Sequence, residues 1–232
     1  MDALGRDRLE LHDAPVPVPA GGEVLVEVAA VSLNYRDMLA IEGGMGLALD
    51  FPFTPGSDLA GRVIACGPGA SRFAVGERVI STFTPGWIEG DPQGDARAFV
   101  HPTLGGHHAG VLADYVALPE SWFVTAPSTV SDAQASTLPC VGLTAWTALV
   151  EHGRLHAGQI VLVEGTGGVA IAGLQIAKAH GAEVIVVSGS AEKRGRAREL
   201  GADHVIERAE REWCEEVLRL TGDRGVDHVL EI

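Results

Sequence analysis

The turn Gly165-Thr166-Gly167-Gly168-Val169-Ala170 carries the sharpest chemical signal in this sequence. It follows an apolar run at 160–164 and opens a stretch rich in small residues at 169–180. Glycines at such a place allow a tight strand-to-helix turn and let a pyrophosphate approach backbone N–H groups at the positive end of the helix. A strand before, a helix after and a unit of about thirty residues form the context that gives such a triplet meaning. A glycine-rich turn needed only for close packing is the alternative. Where an NAD site places an acid to hold the ribose 2′-hydroxyl, at the end of the second strand, the sequence reads Val187-Ser188-Gly189-Ser190. Lys193 and Arg194 follow on the next helix and Arg208 follows the third strand, so a 2′-phosphate would meet hydroxyls and cations. NADP(H) is therefore favoured over NAD(H), with a solvated helix face as the alternative for Lys193 and Arg194.

The elements that must position this turn come as an alternation. Strands are expected at 160–164 and 183–188, helices at 169–180, 192–200 and 212–221, and a further strand starts at 226–232. Short apolar strands separated by helices predict a parallel sheet with right-handed crossovers. A doubly wound domain has about six strands, so the sheet is expected to be incomplete at the C-terminus. Ahead of it the texture differs. Gly and Pro are frequent, and alternating apolar stretches at 23–31, 59–66, 78–83 and 112–118 predict an all-β region. Ser131-Asp132-Ala133-Gln134 looks like a helix cap before Ala- and Leu-rich sequence. These readings divide the chain into an α/β pair of domains, 1–127 and 128–232.

Composition narrows the partners. The chain has 232 residues, 46% hydrophobic and 21% charged, enough to bury a sizeable core. A formal charge of -14 repels nucleic acid and anionic membrane surfaces, which leaves a small molecule as the expected partner. Cys66, Cys140 and Cys214 are scattered with no CxxC pair, so neither a disulfide framework nor a cysteine-built metal site is expected. The charged N-terminus lacks the apolar core of a signal peptide, and a cytoplasmic protein is the expectation. His101, His107 and His108 lack the HxxxH and HExxH spacings and are read as loop histidines, with a substrate-lining role left open.

Several segments in fixed order extend the reading: 31–37 (VSLNYRD), 55–61 (PGSDLAG), 75–79 (VGERV), 112–116 (LADYV) and 138–146 (LPCVGLTAW). Through them nearly the whole chain resembles the medium-chain dehydrogenase/reductase superfamily, in its zinc-independent, quinone-oxidoreductase-like branch. The resemblance implies a GroES-like β domain followed by a Rossmann doubly wound sheet, with substrate in the cleft between them. Zinc alcohol dehydrogenases hold their catalytic metal with a Cys and a His where this chain has Asn34 and Ser57. An amide and a hydroxyl are poor substitutes for thiolate and imidazole, so no zinc is expected. The structural zinc lobe's four cysteines are likewise missing from 83–110.

The same resemblance implies catalytic roles for Asn34 and Tyr35 near the nicotinamide and substrate, with Thr144 reaching the nicotinamide side. It implies pyrophosphate contacts at Gly165, Gly167, Gly168 and Val169, and adenosine-phosphate contacts at Gly189, Ser190 and Lys193. Where many relatives have a Tyr after the third strand this chain has Arg208, able to stack on adenine or pair with phosphate. Asp37 and Asp58 are read as orienting groups rather than acids or bases. The implied activity is NADPH-dependent hydride transfer to a quinone or an activated enone or carbonyl. Zinc-independent alcohol oxidation is one alternative, and a truncated, non-catalytic dinucleotide-binding fragment is another. A homodimer is admitted for the full-length form.

Overall fold

In the computed structural model, residues 1–90, 102–209 and 212–232 are described. The chain forms two compact units, Met1–Cys140 and Val141–Ile232.

In the first unit, β1 (Glu23–Ser32), β2 (Asp58–Cys66), β3 (Arg78–Ser81), β4 (Tyr115–Pro119) and β5 (Phe123–Thr125) form one antiparallel sheet in the order β4-β1-β2-β3-β5. The two-residue period of a strand sorts its side chains onto two faces. Leu59, Val63 and Val79 join Val24, Val26, Val116 and Phe123 on one face. Ala60 and Ile80, one position along, join Ala126 and Ala135 on the other. Ala135 belongs to the short helix α2 (Asp132–Ala135), whose N-cap Ser131 accepts a hydrogen bond from the Gln134 N–H.

That second face explains why the compact unit runs past the expected boundary at 127. Arg78 reaches across to the Asp132 carboxylate at 2.8 Å and to the Pro127 and Val130 carbonyls, binding the segment after β5 to the sheet. The first unit also departs from the all-β expectation. Helix α1 (Tyr35–Gly43) follows β1, burying Asp37, Ala40 and Ile41 at helical spacing. Its C-terminus is closed by Gly44 in the left-handed conformation (φ 65°).

In the second unit, β6 (Ile160–Glu164), β7 (Glu183–Ser188), β8 (His204–Glu207) and β9 (His228–Leu230) form a parallel sheet in the order β8-β7-β6-β9. Both faces are covered, which is why the strands read as continuous apolar runs. Val161, Val163, Val184 and Val186 pack with Leu174 and Ala177 of α4 (Gly168–Ala179) and Ala197 of α5 (Ala191–Glu199). Ile160, Leu162, Ile185 and Val187 pack on the opposite face with Val217 of α6 (Trp213–Leu220). Before the sheet, α3 (Leu143–Trp146) is flanked by wider π-type turns at Leu138–Gly142 and Thr147–His152.

Candidate functional site

The glycine turn lies at the carboxyl end of β6, between its neighbours β7 and β9. The Gly165 N–H donates to the Val187 carbonyl at 2.8 Å, which ties the turn to β7, and its φ of 92° requires a residue without a Cβ. Gly167 is the N-cap of α4, and the first helical bond there runs from the Ile171 N–H to the Gly167 carbonyl at 3.0 Å. The N–H groups of Gly168, Val169 and Ala170 therefore have no partner inside the helix and stand at its positive end. Gly168 has an internal reason to be glycine, because a Cβ there would meet Val141 Cγ1 at 3.1 Å.

Gly167 has no such reason. Its backbone is extended (φ -73°, ψ -178°), a conformation open to any residue, and a Cβ there would meet nothing within 4 Å. Gly189, at the end of β7, shares this property: its φ lies outside the left-handed region and a Cβ would meet open space. Two glycines that neither backbone nor packing demands stand at the ends of adjacent strands. This is the fit expected where an outside group must come close to the main chain, and a dinucleotide is such a group.

Beyond the end of β7, Ser190 caps α5 and its Oγ accepts from the Lys193 N–H at 3.3 Å. Lys193 and Arg208 are exposed, and the Arg208 N–H approaches the Ser188 carbonyl at 3.4 Å. Arg194 is different. Its guanidinium donates to the Ser188 carbonyl at 2.7 Å and to the Glu207 carboxylate at 2.5 Å, and its side chain is only 13% exposed. It locks the ends of β7 and β8 together. Glu207, an acid one strand further along than an NAD site would place it, is neutralised by that pair. Sequence spacing alone did not connect the two, since they lie thirteen residues apart on different elements.

In the first unit, Asn34 and Tyr35 stand where β1 turns into α1. Tyr35 is 80% exposed. Asn34 turns inward: its Nδ2 donates to Ser57 Oγ at 3.3 Å, and its backbone N–H donates to the Asp37 carboxylate at 2.7 Å. Ser57 and Asp58 are fully buried, and the Ser57 hydroxyl donates to Asp58 Oδ1 at 2.7 Å. The other Asp58 oxygen accepts the Cys140 N–H at 3.0 Å. Burial raises the Asp58 carboxyl above its usual range, opposed by the hydrogen bonds from Ser57, Asn34 and Cys140. Burial likewise raises Asp37, whose Oδ1 has no hydrogen-bond partner and lies 3.8 Å from the Arg36 guanidinium.

Beside this corner, Arg36 donates to Thr103 Oγ1 at 3.0 Å and to the Leu104 carbonyl at 3.1 Å, so α1 is tied to the segment at Thr103 and Leu104. The donors gathered here do not fit zinc. The Asn34 amide gives a hydrogen to Ser57 Oγ and Ser57 gives its own to Asp58, so both are neutral groups engaged with one another, and the nearby Cys140 thiol is pushed up to about 11 by burial and then by Asp58, so it is no thiolate. Among the described residues no group of three or more His, Cys, Asp or Glu could hold a metal. His107 is exposed, and the half-buried His108 lies 4.6 Å from the Trp122 ring. Burial and then His107 lower the His108 pKa. His101 lies outside the described residues. In the second unit Thr144 is exposed on α3, between the two π-type turns.

A GroES-like β unit and a Rossmann-like parallel sheet with a glycine turn define a two-domain dinucleotide-binding fold of the dehydrogenase/reductase class. Residues 20–128 match the family model of the alcohol dehydrogenase GroES-like domain, and residues 168–232 match that of the zinc-binding dehydrogenases. A zinc-type alcohol dehydrogenase-like protein of Schizosaccharomyces pombe is 39% identical over 98% of this chain and 66% of its own length. The quinone oxidoreductase of Rattus norvegicus is 32% identical over 98% of this chain and 63% of its own. A solved alcohol dehydrogenase-type structure from Sinorhizobium meliloti superposes with a TM-score of 0.90 at 60% identity, covering 94% of this chain and 64% of that one. A solved NAD-dependent alcohol dehydrogenase gives 0.86 at 37%, covering 99% and 68%. The chain belongs to the medium-chain dehydrogenase/reductase superfamily. It spans about two thirds of the length of these two curated relatives. Among the described residues, no helix is long and apolar enough to cross a membrane.

Proposed function

We propose that this chain belongs to an NADPH-dependent, zinc-independent oxidoreductase that transfers hydride to a quinone or an activated enone or carbonyl. The observation that carries the reading is the pair Gly167 and Gly189, open to a ligand at the ends of β6 and β7 and without an internal reason to be glycine. NADPH, when bound, supplies the hydride. The residues do the rest of the work. The free N–H groups at the start of α4 bind pyrophosphate, while Ser190, Lys193 and Arg208 receive the 2′-phosphate, with Glu207 silenced by Arg194.

At the acceptor, Tyr35 is the donor. It is exposed, whereas the Asn34 amide gives an N–H to Ser57 and so acts by holding its place. As hydride adds to an electron-poor acceptor, the phenol donates a hydrogen bond to the oxygen that gains charge, a role that needs no metal. Thr144, exposed on α3, is assigned to the nicotinamide side. The whole protein is assigned to the cytoplasm and to a homodimer. Steady-state assays with NADPH against quinones, enones and alcohols test the reading. NADPH oxidation by quinone or enone is expected, with Tyr35→Phe lowering kcat about 10²-fold. Alcohol oxidation without quinone or enone turnover would replace this reading with that of a zinc-independent alcohol dehydrogenase; three of the four similar proteins carry alcohol dehydrogenase in their names, one of them as zinc-type.

A further inference from the structure

We propose that Ser57 and Asp58 are positioning residues for the reductive site: this buried pair fixes the Asn34 amide and, with it, the start of α1 from which Tyr35 projects. The inference rests on the reading of Tyr35 as the donor to substrate. Every side-chain oxygen of the pair is engaged. One Asp58 oxygen takes the Ser57 hydroxyl hydrogen at 2.7 Å and the other takes the Cys140 N–H at 3.0 Å. The Ser57 carbonyl accepts from Ser81 Oγ at 2.9 Å, and Ser81 Oγ in turn accepts the Leu59 N–H at 3.0 Å, so β3 clamps the residue from the far side.

The direction of these bonds matters more than their number. Having given its hydrogen to a carboxylate, the Ser57 oxygen offers only lone pairs, so the end of the Asn34 side chain that faces it is the NH2 end. A protonated or rotated partner would not impose this. The carboxylate therefore sets the polarity of a three-residue chain that ends beside Tyr35.

The neighbours of Tyr35 show the same division of labour. Asn34 on one side is bonded to Ser57, and Arg36 on the other is bonded to Thr103 and Leu104, while Tyr35 between them is 80% exposed. Two pinned side chains flank one free phenol. Burying a carboxylate at 0% exposure is a costly way to close a turn, and an apolar pair of similar volume commonly does so at no loss of stability. Such a group is worth its cost where it fixes a geometry.

A double-mutant cycle on the full chain, with Ser57→Ala, Asn34→Ala and the pair, tests the proposal. Ser57→Ala is expected to lower kcat for NADPH-dependent reduction about tenfold while leaving the KM for acceptor and the Kd for NADPH within about twofold. The double variant should be no slower than Asn34→Ala alone by more than about twofold, because Ser57 acts through Asn34. An unchanged kcat in Ser57→Ala, or losses that multiply in the double variant, would overturn it. If the wild-type chain binds NADPH but reduces no acceptor, the functional reading fails, and hydrogen exchange then decides on positioning by itself. Amides in the first turn of α1 should exchange about tenfold faster in Ser57→Ala with those of β4 unchanged, and equal rates would overturn the proposal. If Ser57→Ala does not fold, Asn34→Ala, at a half-buried position, carries the same two readouts, with the same outcomes deciding.

Discussion

Burial pushes the Cys140 thiol up to about 11, with the Asp58 carboxyl adding to the effect, so at neutral pH it is a thiol and a poor nucleophile. Cys66 and Cys214 are exposed. Mass spectrometry after brief iodoacetamide treatment of the folded protein should find Cys66 and Cys214 modified and Cys140 spared, and equal labelling of all three would mean the corner is open. The residue scale is also where sequence reading reached least far. That Asn34 and Tyr35 stand together at one corner follows from their adjacency, but that the amide turns inward while the phenol stays out does not. Its cause, Ser57, lies 23 positions away and comes alongside only when β2 pairs with β1. Arg194 illustrates the same limit. Its spacing resembles that of a phosphate ligand, yet the fold brings Glu207 to it and consumes its charge.

At the scale of elements, periodicity carried most of the information, because both period-2 alternation and buried parallel runs leave a direct mark on sequence. The expected strands at 160–164 and 183–188 coincide with β6 and β7, and the helix at 169–180 with α4 to within a residue at each end. Helix α1 was not legible, since nine residues with three buried positions lie within Gly- and Pro-rich sequence that otherwise alternates. β5, at three residues, is too short to show a period. The loop that reaches Gly110 is fixed by close contact rather than by pattern. A Cβ at Gly110 would meet the Pro55 carbonyl oxygen at 2.3 Å and that of Gly56 at 2.4 Å, both backbone atoms that cannot step aside. Gly110→Ala is expected to destabilise by about 1–3 kcal/mol, in the manner of other overpacked sites. A thermal melt should show the loss as a drop of about 3–10 °C. Because the displaced backbone precedes Ser57, kcat should fall with it, and an unchanged melting temperature would mean the loop does not rest on Pro55 and Gly56.

For the whole molecule, acid stability combines carboxyls of opposite sign. Asp227 is lowered to about 2, first by its hydrogen bond from Arg224 and then by that from the Ile160 N–H. Its contribution is complete above the unfolded carboxylate range and is lost as pH falls through the folded value. Asp37 and Asp58 are raised by burial, so their ionisation opposes folding, and that opposition is relieved as pH falls toward their unfolded values. Melts of Asp227→Asn against wild type should therefore show a gap that is widest near neutral pH and narrows from about pH 4 toward about pH 2. A gap that stays constant with pH would remove the ion pair from the account.

The central claim, that the turn at 165–170 exists to seat a dinucleotide, meets its most direct test in a calorimetric NADPH titration of wild type and Gly167→Asp, paired with thermal melts of both. Asp is a better N-cap than glycine and Gly167 has a permitted backbone and open space, so folding should be unharmed or improved. The same carboxylate would stand where pyrophosphate must approach the start of α4. The account predicts saturable NADPH binding by wild type, at least about tenfold weaker in the variant, with a melting temperature equal or higher. Equal affinity in the two proteins, or no binding by wild type at millimolar NADPH, would contradict it.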